Sequence, residues 1–281
     1  MSVIARAYVA ACLAELDALK PGNVHRHADG HGMTVGDFET SAEVSAAGVA
    51  RPGVRVGARV LEAVTATRAA VGQNTNLGIV LLCAPLAAAA ERGDPSLRAA
   101  VAAVLDELDD ADARDVFAAI ALANPGGLGT VEQNDVREPP TVPLRKAMAA
   151  AAERDLVARQ YARGFADVLG FGLTAFARAR ASGADAAQAT AAVYLAFLAA
   201  EPDSHIARKF GGETAEAVRR DAAARVGGLG GLDAEALSAW DGRLKARGLN
   251  PGATADLTVA SVFAAYLSSI RDERLAAPAQ Q

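Results

Sequence analysis

Three of the four histidines of this chain and one of its four lysines fall in a single stretch, LKPGNVHRHADGHGMTVGDFETSA, from Leu19 to Ala42. Lys20, His25, Arg26 and His27 are residue types that grip phosphate oxygens, and a histidine near neutrality can do so as a donor or as a partial cation. Three further junctions carry the same kind of chemistry: GQNTNLG from Gly72, EPDSHIARKFGGE from Glu201, and LNPGATADL from Leu249. Each joins glycine, small amides or hydroxyls and a few charges to the predicted start of a helix. A helix amino terminus offers unpaired N–H groups and the positive end of the dipole, and glycine lets backbone approach a phosphate closely. The four junctions therefore suit a phosphorylated ligand. Zinc does not suit them: His25, His27 and His31 are oddly spaced in a glycine-rich loop, and no cysteine supports them.

The elements that must position these loops are helices. Alanine dominates, apolar residues recur three and four apart, and no sustained two-residue alternation rich in Val, Ile and Thr is present. The expected class is all-α, one globular domain over residues 1–281 with about 10–12 helices. The predicted spans are 3–19, 35–49, 54–71, 77–92, 95–108, 113–123, 144–182, 184–200, 213–226, 234–247 and 255–273. The long one is expected to bend or break near Gly164 or Gly170. Pro21-Gly22, Pro52-Gly53, Pro125-Gly126-Gly127, Pro139-Pro140 and Pro251-Gly252 punctuate the chain. Asn124 to Pro143 is the best internal boundary, and its length suits a functional loop equally well.

Composition sets outer limits. With 281 residues, 52% of them hydrophobic, the chain is long enough to bury a substantial core. A net charge of −5 argues against nucleic-acid binding by phosphate neutralisation, so an anionic substrate must be met by a few local cations. Cys12 and Cys83 lie inside apolar segments and suggest neither a disulfide framework nor a thiolate metal site, which fits a reducing cytoplasm. The first twenty residues lack the pattern of a secretory signal. The run from Leu77 to Ala90 is too short for a bilayer and reads as a buried core helix, so no membrane partner is expected. Oligomeric state is left open, a homodimer among the options.

KPGNV, then Gly36-Asp37-Phe38 after the histidine segment, then NTNLG, then DSHIARKFGG, then NPGATADL follow one another in an order that resembles the triphosphoribosyl-dephospho-CoA synthase family over nearly the whole chain. The resemblance implies an all-helical enzyme that transfers a triphosphoribosyl group from ATP to 3′-dephospho-CoA and releases adenine. Two departures point to a divergent branch. Where the family reads roughly T-H-K-G, this chain has Thr75-Asn76-Leu77-Gly78, and the family's D-T-N-x-x-x-R-x-G segment appears as Asp203 to Gly211 with Lys209 added. A related ribosyl or phosphoribosyl transferase in another cofactor pathway, a pterin one for example, and a non-catalytic helical nucleotide-binding protein are the alternatives.

Breaking an N-glycosidic bond places positive charge on the ribose and requires proton transfer to the base and from the acceptor hydroxyl, work suited to carboxylates. Asp37 and Asp203 are the catalytic candidates. Asp37 lies one turn before Ser41, so the two can share a helical face. It can equally be the capping-box partner of Thr34. Lys20, Asn23, His25, Arg26, Ser41, Asn74, Thr75, Asn76, Ser204, His205, Arg208, Lys209 and Gly211 are the substrate-binding candidates. Lys20 can instead serve the end of a helix dipole, and one of the three amide and hydroxyl residues at 74–76 is expected to cap a helix. Bound ATP would bring Mg²⁺, for which Asp37, Asp203 and Asp256 are the candidate ligands with Glu15 behind them; Asp256 can also be a favourable charge at a helix start.

Overall fold

The computed structural model describes residues 1–125, 138–226 and 233–276. Among them are fourteen α-helices: α1 Val3–Asp17, α2 Val35–Val49, α3 Val56–Val71, α4 Leu77–Ala90, α5 Leu97–Asp106, α6 Asp110–Ala123, α7 Leu144–Ala151, α8 Leu156–Ala162, α9 Leu173–Ala181, α10 Ala186–Ala200, α11 Ser204–Phe210, α12 Gly212–Val226, α13 Ala234–Ala246 and α14 Gly252–Ala276. One π-helical turn, Asp167–Gly172, precedes α9. No strand is present among the described residues, and the fold is a single all-α domain. Residues 126–137, most of the proposed boundary loop, lie outside the described residues.

Two helices form the centre. α4 is buried along nearly its whole length, Pro85 included, as its uninterrupted apolar composition requires. α14 packs against α1, α4, α5, α8, the π-turn, α9, α10 and α11, with Leu257, Val259, Val262, Phe263 and Leu267 buried in the main core. Its 252–272 stretch is long and apolar enough to cross a membrane by length and composition, and 67% of it is buried inside this protein. A helix covered by its own neighbours on this scale reads as a core helix. A smaller core of Tyr194, Leu198, Ile206, Val218, Trp240 and Leu244 joins α10 to α13 beside it.

The predicted helix over 144–182 is not one helix, which raises the number of elements above the expected 10–12. It stops at Ala151 and restarts at Leu156, where the Asp155 side chain accepts hydrogen bonds from the N–H groups of Val157 and Ala158 at 2.9 Å each. It breaks again at Gly164 and Phe165, both left-handed with φ of 62° and 58°. A bulky residue rarely adopts that conformation. Here the Phe165 side chain is fully buried and its ring sits 5.6 Å from that of Tyr161, so burial holds the backbone where propensity would not. The sequence reading also missed α11, a two-turn helix that begins at Ser204, inside the third junction.

Close helix contacts depend on glycine at defined points. The N–H of Gly57, in the first turn of α3, donates to Asp112 Oδ1 at 2.6 Å, and a Cβ there would lie 2.6–2.7 Å from the Asp112 backbone in α6. Gly57→Ala should therefore lower stability by about 1–3 kcal/mol through overpacking, measured as a shift in urea midpoint at unchanged slope.

Candidate active site

A cavity of about 970 Å³ opens where the polar junctions meet, at the upper end of the roughly 300–1,000 Å³ of small-molecule sites. Four groups of polar residues face it. Asn23 and His31 come from the loop after α1, Gln73, Asn74 and Thr75 from the loop before α4, Ser204, His205, Arg208 and Lys209 from α11, and Asn250 and Asp256 from the start of α14. Glu15 joins them from the last turn of α1. Phe117 and Ile120 of α6, Met148 of α7 and Leu156 of α8 add apolar surface, and Arg154, Asp155 and Arg159 add charge beside it. The cavity lining thus mixes polar, charged and apolar groups.

The residues that sequence alone marked as candidates divide into those that line this cavity and those that hold its walls. Lys20 is completely buried. It pairs with Glu15 and donates to Asn23 Oδ1 at 2.7 Å and to the Val24 carbonyl at 2.6 Å. Those bonds use all three ammonium donors, so Lys20 orients two lining residues and has no proton left for a phosphate. Burial pushes Glu15 up and Lys20 down in pKa, each against the attraction of the other. Asn23 passes the arrangement on, donating to Asn250 Oδ1 at 2.8 Å.

His25 and Arg26 do not line the cavity. His25 is buried with Nε2 3.3 Å from Asp241 Oδ2, and burial lowers its pKa. Asp241 also takes the Gly22 N–H at 2.8 Å and pairs with Lys245 at 3.0 Å, which fixes the first junction to α13. Arg26 lies at the surface, 2.5 Å from Asp17 and 2.8 Å from Glu39.

Asp37 forms the reciprocal capping box that starts α2. Its N–H donates to Thr34 Oγ1 at 3.2 Å and its Oδ2 accepts from the Thr34 N–H at 2.7 Å. It stands just behind the cavity wall, where Gln73 Nε2 lies 3.4 Å from the same oxygen. Ser41 is behind the wall as well, its hydroxyl donating to the Asp37 carbonyl at 2.6 Å and lying 2.5 Å from Thr75 Oγ1. Of the three residues 74–76, Asn74 accepts from the Leu77 N–H at 3.1 Å, while Asn76, at the N-cap of α4, makes no capping bond with its side chain. Asn76 is buried against Ser45 and the Ser41 carbonyl.

Asp203 is fully buried and is the joint between α11 and α14. Oδ1 accepts from the N–H groups of His205 and Ile206 at 2.8 and 3.0 Å, and Oδ2 from the N–H and hydroxyl of Thr254 at 2.8 Å each. Four bonds occupy the four acceptor positions of a carboxylate, so none is left for a metal ion or a ribose. Ser204 Oγ accepts from the Leu156 N–H at 3.1 Å and brings α8 to the same corner. Gly211 ends α11 at a φ of 90° and does not line the cavity.

Asp256 differs from Asp203. It faces the cavity and has no hydrogen-bond or ion-pair partner among the described residues. Its carboxylate lies against the backbone of Gly78 in the first turn of α4, where any Cβ would collide with it. Burial, then the negative charges of Asp203, Glu15 and Asp155, raise its pKa well above the usual carboxylate range, with Arg208 opposing them. His205, stacked on Gly252, is pushed down to about 4 by burial, with Arg208, Lys209 and His31 adding to the shift. It therefore lines the cavity as a neutral imidazole. Among the described residues no three His, Cys, Asp or Glu side chains form a ready-made metal cage. Sequence reasoning missed Arg68, Gln73, Arg154, Asp155, Arg159 and Asn250 as lining residues. Gln73 and Asn250 lie inside junctions already noted without having been singled out, but the charged four lie in helices or short turns with no local signature.

The sequence profile of a family described as ATP:dephospho-CoA triphosphoribosyl transferase, or CitG, matches residues 1–274. The chain belongs to this family. Among solved structures, a protein of Archaeoglobus fulgidus provisionally named a triphosphoribosyl-dephospho-CoA synthase is 25% identical, with a TM-score of 0.67 over 82% of this chain and 98% of its own. Comparison with curated proteins gives no match. Membership makes the chain a transferase: the family reaction moves a triphosphoribosyl group from ATP to dephospho-CoA, and ATP is the donor substrate.

Two outcomes follow from the geometry. Asp203→Asn puts an amide donor against the Thr254 N–H and hydroxyl, or against the helix N–H groups, and should destabilise by about 1–3 kcal/mol in urea unfolding. The His205 imidazole should show no NMR titration between pH 8 and about 5. Because its folded pKa is depressed, it withdraws stability as pH falls from the ordinary histidine value near 6.5 towards 4.

Proposed function

We propose that the polar and charged residues of the cavity bind the ribose and phosphates of ATP, that its apolar surface receives part of the acceptor, and that Asp256 is the carboxylate on which catalysis depends. In this reaction the bond from the ribose anomeric carbon to adenine breaks, a bond from that carbon to an acceptor hydroxyl oxygen forms, and the hydroxyl proton is accounted for on the departing base. The observation that carries the reading is an acid that faces the cavity, has no partner among the described residues, is crowded by three other acids and is held on the first turn of α4. Such an acid is stabilised by a cation.

Mg²⁺ fits there, held by Asp256 with Glu15 behind it together with phosphate oxygens, and would supply charge neutralisation of the triphosphate. Asp203 does not fit as a ligand because its acceptor positions are taken, and Asp37 does not line the cavity. Neutral His205 can donate to or accept from a ribose hydroxyl or base nitrogen, whichever tautomer is present. Asn23, Asn74 and Asn250 supply amides for the same purpose. The ligands expected are nucleotides, with neither nucleic acid nor membrane as a partner. A second reading, in which the same transfer serves a different hydroxyl or amine acceptor, is favoured by the absence of histidine and lysine from Asn74 to Gly78.

Protein supplied with ATP, Mg²⁺ and dephospho-CoA should release adenine in step with a triphosphoribosylated product seen by mass spectrometry. Adenine release that ignores dephospho-CoA but responds to another acceptor supports the second reading, and tight nucleotide binding without adenine release would make the protein a binder only. Asp256→Asn should reduce turnover by at least about a hundredfold, the scale of losing one catalytic charge. Asp37→Asn should leave the fold intact; full turnover in that variant limits Asp37 to capping.

The same substitution at Asp256 has an opposite effect on stability. A carboxyl whose folded pKa is raised contributes stability below its unfolded value and loses it as pH rises through the folded one. Asp256→Asn should therefore melt at a higher temperature than the natural protein at pH 8 in metal-free buffer, with the difference shrinking on acidification. Equal melting temperatures at pH 8 would show that Asp256 is solvated enough to ionise without penalty.

A further inference from the structure

The arginines on the cavity wall fall into two classes. Arg159 is held between Asp167 and Glu201, at 3.0 and 3.1 Å, and Arg208 lies 3.4 Å from Asp155. Arg68 and Arg154 have no carboxylate partner among the described residues. Arg68 donates to the carbonyl of Gly72, four residues on, and Arg154 reaches only the Ala150 carbonyl, at 3.5 Å. Each guanidinium has five N–H donors in a planar fork, so most of the donors on both remain for a ligand.

Their positions separate them. Arg68 stands in the last turn of α3 and bonds to the residue just before Gln73, Asn74 and Thr75, the junction that itself contains no cation. Arg154 stands in the turn between α7 and α8. A chain of net charge −5 whose cavity is also lined by Glu15, Asp155, Glu201 and Asp256 can hold a polyanion only where cations are left over from internal pairing.

We infer that Arg68 and Arg154 hold the phosphate oxygens of the donor nucleotide, Arg68 supplying from helix α3 the charge that the Asn74–Gly78 junction lacks. The inference rests on the reading of the cavity as the ATP site and deepens it by naming the phosphate-binding groups. It also gives the donor's phosphates two points of attachment on separate elements, so that the chain of phosphates, and not the base alone, sets the orientation of the ribose. Bidentate guanidinium–phosphate pairs combine strength with direction, which an ammonium group would not reproduce fully.

The test is calorimetric titration of the full chain with ATP, AMP and inorganic tripolyphosphate, for the natural protein and for Arg68→Ala, Arg154→Ala and the two lysine variants. Both arginines are exposed, and thermal melts verify that the alanine variants fold. Each alanine variant should weaken ATP and tripolyphosphate by about tenfold or more while changing AMP by less than about threefold, as expected for charge-assisted bonds to the outer phosphates, and lysine should restore part of the loss. Natural affinity for both triphosphates in either alanine variant overturns the inference. Arginine-dependent binding of tripolyphosphate by a protein that releases no adenine would uphold it and sink the proposed reaction. Adenine release with unchanged triphosphate binding in both variants would do the reverse.

Discussion

The buried carboxylate of Asp203 is the constraint on which the site rests. Its four hydrogen bonds reach the first turn of α11 and the first turn of α14, and the adjacent Ser204 hydroxyl adds the first turn of α8. Three helix amino termini are thereby fixed at one corner. Removing one partner of a buried charged hydrogen bond leaves the other desolvated and unpaired, which is more costly than the bond's net contribution. The corner consequently behaves as a unit: His205 rests on Gly252 and Asp256 on Gly78 only while α11, α14 and α4 keep this spacing. The glycines are part of the same constraint, since a side chain at either position would occupy the space of the functional group beside it.

Acid crowding follows from this corner. Glu15, Asp155, Asp203 and Asp256 share one region, and only some of them have cations of their own: Lys20 serves Glu15, and Arg208 lies beside Asp155. Among the described residues Asp256 has no paired cation, and Arg208 only opposes the crowding from a distance. A fold optimised for stability would place an amide or an apolar residue there, so retention of the carboxylate is where local physics and stability disagree, as they often do at sites that act on ligands.

The all-helical class and most helix boundaries were legible because three- and four-residue periodicity and proline–glycine punctuation act locally. The interruption at Phe165 was only half legible. Gly164 signalled a break, but a phenylalanine with positive φ is set by the burial of its ring against Tyr161, which no local pattern reveals. The site was legible as a set of loops and not as a set of roles. Lys20, His25 and Arg26 are the right residue types for phosphate, yet Glu15 takes up the charge of Lys20, Asp17 with Glu39 that of Arg26, and His25 is buried beside Asp241 away from the cavity. Arg68 and Arg154 were missed for the complementary reason: an arginine near the end of a helix reads as ordinary solvated charge until the fold shows a cavity beside it and no carboxylate paired with it among the described residues.

The central position of α14 bears on how the chain is made. α1, α4, α5 and α8 to α11 all close on a helix that spans residues 252–276. While the ribosome is still adding those residues, the helices already outside the exit tunnel expose the apolar faces meant for α14, and α1 and α4 wait for a neighbour more than 160 residues further along, counting from Ala90 to Gly252. Contacts of such separation form late and leave collapsed intermediates open to association. Those apolar faces therefore stay uncovered until translation has passed residue 276, and the core closes last of all around its own C-terminal helix.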